Sequence, residues 1–171
     1  NSKYMIFTNS KKPLRALLLA AGFGKRLLPI TKNMPKCLVK IKGKPLLEIW
    51  LETLEQLGCE SVLVNTHYLS DQVDEFLENY SRKKMKIDTV YESVLKGTAG
   101  TLLQNRNYFK DSNILLIHAD NYTNDNLKDF LNAFYQKPDN CDITMLTFTT
   151  ENPKSCGIVE KNDKNIVVKF H

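Results

Sequence analysis

Short apolar runs alternate with segments of helical spacing along most of this chain, and that alternation narrows the fold to one class. Residues 16–20, 61–65, 87–91, 114–118 and 143–148 read as strands. Between the first two, Leu47, Trp50, Leu51, Leu54 and Leu57 recur at helical spacing, with Pro45 suited to the first turn and Gly58 to the stop. Val73, Phe76, Leu77 and Tyr80 mark a second helix, expected to begin with Ser70 or Asp71 as its cap. A short third helix is expected from Thr98, and Leu127, Phe130, Leu131 and Phe134 mark a fourth. A strand covered on both faces reads as a continuous apolar run, and strands alternating with helices build a mostly parallel sheet. The chain end differs: 157–160 and 166–170, joined by the polar 162–165, predict an antiparallel hairpin. The expected fold is a Rossmann-like three-layer α/β/α core over 14–171, ending in that hairpin. Residues 1–13 lack periodicity and are expected to be an arm, linker or tag. One domain of 171 residues buries roughly 70% of its unfolded surface.

The charge balance, 24 basic against 19 acidic residues, leaves a net charge of +5. Such an excess suits a polyanion, and its distribution selects among polyanions. Lys25, Arg26, Lys32, Lys36, Lys40, Lys42 and Lys44 form one basic stretch. A single stretch fits a phosphate pocket better than a nucleic-acid groove, which shows a wider basic stripe interleaved with aromatics. A solvated basic face is the competing reading. Cys37, Cys59, Cys141 and Cys156 are too far apart for the paired spacing of a zinc site. With no signal-peptide pattern and no run of ~20 apolar residues, the expected setting is the cytoplasm, with free thiols and no membrane partner.

Open α/β sheets bind ligands outside the carboxyl ends of their strands. The loop after the first strand, Ala20-Ala21-Gly22-Phe23-Gly24-Lys25-Arg26-Leu27, lies at such an end. Its glycines let backbone N–H groups approach an anion, and two cations follow. Leu27 stands where a dinucleotide fingerprint needs a third glycine, and no segment has the P-loop spacing. The longer pattern is more specific: Gly22-x-Gly24-x-Arg26-Leu27-x-Pro29-x-Thr31, then Pro35-Lys36, Leu38 and Pro45-Leu46-Leu47. It resembles the signature of the sugar-1-phosphate nucleotidyltransferases, the NDP-sugar pyrophosphorylases. The chain is similar to mannose-1-phosphate guanylyltransferases and to glucose-1-phosphate uridylyl- and thymidylyltransferases. The resemblance continues at Glu92 and Gly97-Thr98-Ala99-Gly100-Thr101-Leu102, at His118-Ala119-Asp120, and at Cys156-Gly157-Ile158-Val159-Glu160. Lys25 replaces the family's usual Thr or Ser, and Cys156 its frequent aromatic residue.

The resemblance implies a glycosyltransferase-A-like fold and attack by a sugar-1-phosphate oxygen on the α-phosphorus of an NTP, with pyrophosphate leaving. Arg26 and Lys36 match the catalytic cations: a guanidinium fork suits the β- and γ-phosphates, and an ammonium provides a point charge near the α-phosphate. Leu19, Ala20, Ala21, Gly22, Gly24 and Lys25, with Glu92, Gly97 and Thr98, are the expected nucleotide contacts. Asp120 is the expected ligand of Mg²⁺, which prefers oxygen and uses one or two carboxylates with waters and phosphates. Its other reading is a cap for the following segment. Glu92 lies five residues before Gly97 and is expected to accept from the base. Guanine offers two donors on one edge where uracil and thymine offer one, which favours GTP. Thr98 as a plain helix cap is the competing view of that turn. Gly157 and Glu160 match sugar contacts. By strand alternation His118 is expected on the sheet's other face, and His67 in a loop facing ligand or solvent.

The expected partners are an NTP and a sugar-1-phosphate, with no nucleic acid, and a homo-oligomer is left open. A cytidylyltransferase acting on phosphocholine or another alcohol phosphate shares the opening motif. A regulatory homologue without chemistry is the third reading, opposed by the retention of Arg26, Lys36 and Asp120. The resembling enzymes place a sugar-phosphate lysine and a second metal aspartate beyond the point matching His171, so the core is expected to be truncated there.

Overall fold

The computed structural model describes residues 12–81 and 84–171; residues 1–11, where most of the expected arm falls, and 82–83 lie outside it. The described chain divides into two compact units, one reaching Lys128 and one running from Asp129 to His171.

The first unit is built on a four-stranded parallel sheet. Strands β1 (Leu14–Leu19), β4 (Ser61–Thr66), β5 (Lys86–Tyr91) and β6 (Asn113–His118) lie in the order β5-β4-β1-β6. The short strands β2 (Lys40–Ile41) and β3 (Lys44–Pro45) form a separate antiparallel ladder. The two central strands explain the continuous apolar runs in the sequence. Every residue of β4 is buried, and Ala16, Leu17 and Leu18 of β1 have no exposed surface. Helices α1 (Leu46–Gln56), α2 (Ser70–Asn79) and α3 (Gly97–Gln104) connect the strands, and α4 (Leu127–Tyr135) begins as the first unit ends. Leu47, Leu51 and Leu54 give α1 a fully buried stripe, and burying each such side chain contributes about 1.5–3 kcal/mol.

Gly58 stops α1 as its position predicts. At φ +79° it takes the left-handed conformation, its N–H donates to Glu55 O, and the Cys59 N–H donates to Leu54 O. This pair of bonds satisfies carbonyls that the helix end would leave open. The start of α2 differs from expectation. Leu69, at φ 52°, is the capping residue and makes no side-chain capping bond, while Ser70 and Asp71 fall inside the first turn. Thr98 likewise lies within α3, which Lys96 precedes without a side-chain cap.

The second unit contains a hairpin of β7 (Val159–Lys161) and β8 (Val167–Phe170), paired antiparallel as predicted. Asn162 organises its turn: Oδ1 accepts from the N–H groups of Lys164 and Ile166, each at 3.0 Å. The expected strand over 143–148 does not form. Its side chains supply the right pattern, but a strand needs a hydrogen-bonding neighbour, and Ile143 and Phe148 are 76% and 78% exposed.

Candidate active site

The loop after β1 is held at three points. Its first amide, Ala20 N–H, donates to Asn65 Oδ1 on the adjacent strand at 2.8 Å. Gly24 turns the chain at φ +65°, and its carbonyl accepts from the Leu27 N–H and the Thr31 hydroxyl at 2.9 and 2.8 Å. A Cβ on Gly24 would lie 2.9 Å from Thr31 Cγ2, so glycine is required by conformation and by space. Tyr68 then donates its hydroxyl to the carbonyls of Thr31 and Lys32. Pro35 and Cys37 are buried on either side of Lys36. That anchoring directs the Lys36 ammonium to Asp120 Oδ2 at 2.5 Å. Asp120 follows β6, so the pair joins the glycine loop to the next strand end.

These segments surround an open cleft with about 600 Å³ of empty space at the carboxyl ends of the sheet. Leu19, Ala20, Ala21, Gly22, Lys36, Glu92, Gly97, Thr98 and Asp120 line it, so nine of the expected site residues meet at one place. Gly24 shapes the loop from behind. Lys25 and Arg26 are exposed on the short helical turn Lys25–Leu27 and are not on the lining. The Lys25 ammonium sits 5.6 Å from the Phe23 ring centroid, and Arg26 makes no hydrogen bond or ion pair among the described residues. Gly157 and Glu160 belong to the second unit, where Glu160 accepts from His171 Nε2 at 2.6 Å.

One expectation changes here. His118 is not turned away from the site but lines the same cleft. Alternation separates the faces along a strand, whereas this cleft lies across the strand ends, where that rule no longer decides. Glu92 is 4% exposed, and both its carboxylate oxygens already have donors. The Thr101 hydroxyl donates to Oε1 at 2.5 Å and the Lys96 N–H to Oε2 at 3.1 Å. Its own N–H donates to Thr66 O, and its carbonyl contacts His67 Nδ1 at 2.6 Å. Glu92 thus fastens the 92–97 turn to α3 while lining the cleft. His67, edge-on to Phe23 at 5.2 Å, is part of this framework.

Cys37, Asn65, Leu95 and Thr101 also line the cleft without having been expected there. Burial pushes the Cys37 thiol up to about 12, its own backbone hydrogen bond opposes this, and the negative charge of Asp120 adds to it. Among the described residues no three His, Cys, Asp or Glu side chains are grouped to enclose a metal ion. Asp120 alone, one-third exposed on the cleft, fits the smaller role of one carboxylate ligand to an ion otherwise held by water and phosphate.

A family model described as nucleotidyl transferase matches residues 15–171. The bifunctional protein GlmU of Methanocaldococcus jannaschii is 28% identical over 155 residues, covering 91% of this chain and 35% of that protein. The mannose-1-phosphate guanylyltransferase catalytic subunit beta of Dictyostelium discoideum is 30% identical over 159 residues, covering 92% of this chain and 44% of its own length. The chain therefore spans between a third and a half of these relatives. Among solved structures, HddC from Yersinia pseudotuberculosis superposes with a TM-score of 0.74 at 24% identity, covering 91% of this chain and 68% of that one, a likeness of fold. The CTP:phosphocholine cytidylyltransferase of Streptococcus pneumoniae gives a TM-score of 0.57 at 31% identity, covering 67% and 48%. Because that family model matches nearly the whole sequence, the chain belongs to the nucleotidyl transferase family.

Proposed function

We propose that this chain carries the nucleotide site of an enzyme that transfers a nucleotidyl group from an NTP to a sugar-1-phosphate, releasing pyrophosphate. The observation that carries the reading is the cleft itself: the anchored glycine loop, the Lys36–Asp120 pair and the Gly97-Thr98 turn converge on it. An oxygen of the acceptor phosphate attacks the α-phosphorus, and the bond from that phosphorus to the bridging oxygen breaks. Two polyanions meet in this step, so alignment and neutralisation are the protein's main contributions. Lys36 places positive charge beside the α-phosphate. Asp120 would hold Mg²⁺, which when bound supplies charge to the pyrophosphate oxygens. Arg26, exposed and without a protein partner among the described residues, is free to fold onto the β- and γ-phosphates. Gly157 and Glu160 are assigned to the sugar, and the guanylyltransferase relative supports GTP as donor.

Similarity to the Streptococcus pneumoniae cytidylyltransferase favours a second reading, CTP with an alcohol phosphate such as phosphocholine. Pyrophosphate release, measured with each of four NTPs against sugar-1-phosphates and phosphocholine, separates the two. Turnover with GTP and a sugar-1-phosphate supports the first reading, and turnover with CTP and phosphocholine replaces it. Arg26→Ala is expected to lower kcat about 100-fold; unchanged turnover removes Arg26 from the mechanism.

A further inference from the structure

We infer that Asn65 reads the nucleotide base, donating from Nδ2 to a ring carbonyl oxygen; the inference rests on the nucleotide site proposed above. Asn65 is 3% exposed at the carboxyl end of β4, paired in register with Leu19. Its amide orientation is fixed by chemistry: the Ala20 N–H can only donate, so the atom 2.8 Å away must be the oxygen. The amino group is thereby directed elsewhere. No hydrogen bond from Nδ2 is made among the described residues, and Nδ2 is not one of the unpartnered polar atoms sealed from solvent. Asn65 lines the cleft and its unpartnered amino group is not sealed from solvent, so the cleft is the space from which a ligand would reach it. A nearly buried amide donor without a protein partner is costly unless a ligand or solvent accepts from it.

Sheet order identifies which part of a nucleotide lies there. Asp120, with Lys36, follows β6, whereas Asn65 lies two strands away on β4, beyond β1. Two strand spacings amount to about 10 Å. With the phosphates at the Lys36–Asp120 end, a ribose spans the β1 loop and the base reaches β4 and the 92–97 turn. At that end the Glu92 carboxylate can only accept, whereas the Asn65 amino group supplies a side-chain donor on the cleft. Guanine, uracil, thymine and cytosine present a keto oxygen to such a donor, and adenine presents none.

Asn65→Asp is the test, because Asp keeps an oxygen for the Ala20 N–H and replaces the cleft-facing donor with an acceptor. Equilibrium binding of the four NTPs is measured in the parent and the variant, with ATP as reference so that the effect of added charge on the triphosphate cancels. The parent is expected to prefer a keto-bearing NTP. In the variant, the affinity ratio of that NTP to ATP is expected to fall at least tenfold. An unchanged ratio, or a parent that prefers ATP, overturns the role of Asn65. Failure of the parent to bind any NTP instead removes the nucleotide site on which the inference rests. If the variant does not fold, the ligand is altered. Replacing the keto oxygens of the preferred base by sulfur, one at a time, should weaken binding to the parent at one position by about tenfold, and no effect at any position overturns the inference.

Discussion

The two units of this chain use similar side chains to opposite effect. Up to Lys128, leucines and valines are sealed: Leu17, Leu18, Leu47, Leu51, Leu54, Val62 and Val64 have no exposed surface. From Asp129 onward no described residue is buried, and Ile143, Phe148, Val168 and Phe170 are each more than 60% exposed. The difference teaches that hydrophobic composition does not make a core. Burial requires elements that close on one another, as the central strands β1 and β4 do within the parallel sheet. In the first unit that closure also fixes the strand ends and positions the cleft.

Cysteines report on the contrast most sharply. Cys37 and Cys59 lie in the first unit, and burial pushes both thiols up to about 12 from an ordinary 9.0. Cys141 and Cys156 are partly exposed in the second. Thiolate is the reactive form, and a pKa of about 12 in place of 9.0 leaves about a thousandfold less of it at neutral pH. Iodoacetamide labelling followed by mass spectrometry is expected to modify the partly exposed Cys141 and Cys156 before the buried Cys37 and Cys59, with denaturant removing the difference. Equal native rates would break the comparison. The linkage has a sign: these thiols stay protonated in the folded state while unfolded chains ionise. Their contribution is therefore complete below pH 9 and lost as pH rises toward 12.

Next in size is side-chain truncation. Leu17→Ala in the central strand should cost about 3 kcal/mol, whereas Phe148→Ala should stay within about 0.5 kcal/mol. Urea unfolding of both variants checks this, and a large cost at Phe148 would place a core where none is described. The smallest contrast concerns two glycines. Ala at Gly24 meets Thr31 and the left-handed backbone together, for about 1–2 kcal/mol. Ala at Gly157 meets only the Phe170 ring, 63% exposed and able to swing aside, for less than about 0.5 kcal/mol. Thermal melting of the pair sharpens the comparison, and equal losses would contradict it.

Local signals made much of this legible. The apolar runs marked all four strands of the parallel sheet, Gly58 marked the end of α1, and the polar 162–165 marked the hairpin turn. Strand 143–148 failed because pairing is not encoded in one segment. The glycine loop and Asp120 could be placed at the site because both follow strands. The partners of Glu92 could not, since they depend on how the 92–97 turn folds back onto Thr101. Asn65 was similarly hidden, its significance arising from a register that brings it beside Leu19. Arg26 shows the reverse: its motif position is clear, yet its side chain lies off the lining.

The central claim is that the cleft between the β1 loop and Asp120 binds a nucleoside triphosphate through its phosphates and a divalent ion. Isothermal titration of the protein with each NTP, with and without Mg²⁺, tests it when repeated with Asp120→Asn. The account predicts saturable binding of one NTP per chain, strengthened by Mg²⁺, with the Mg²⁺-dependent part reduced at least tenfold in the variant. Absence of binding by the parent, or an identical Mg²⁺ dependence in Asp120→Asn, would contradict it.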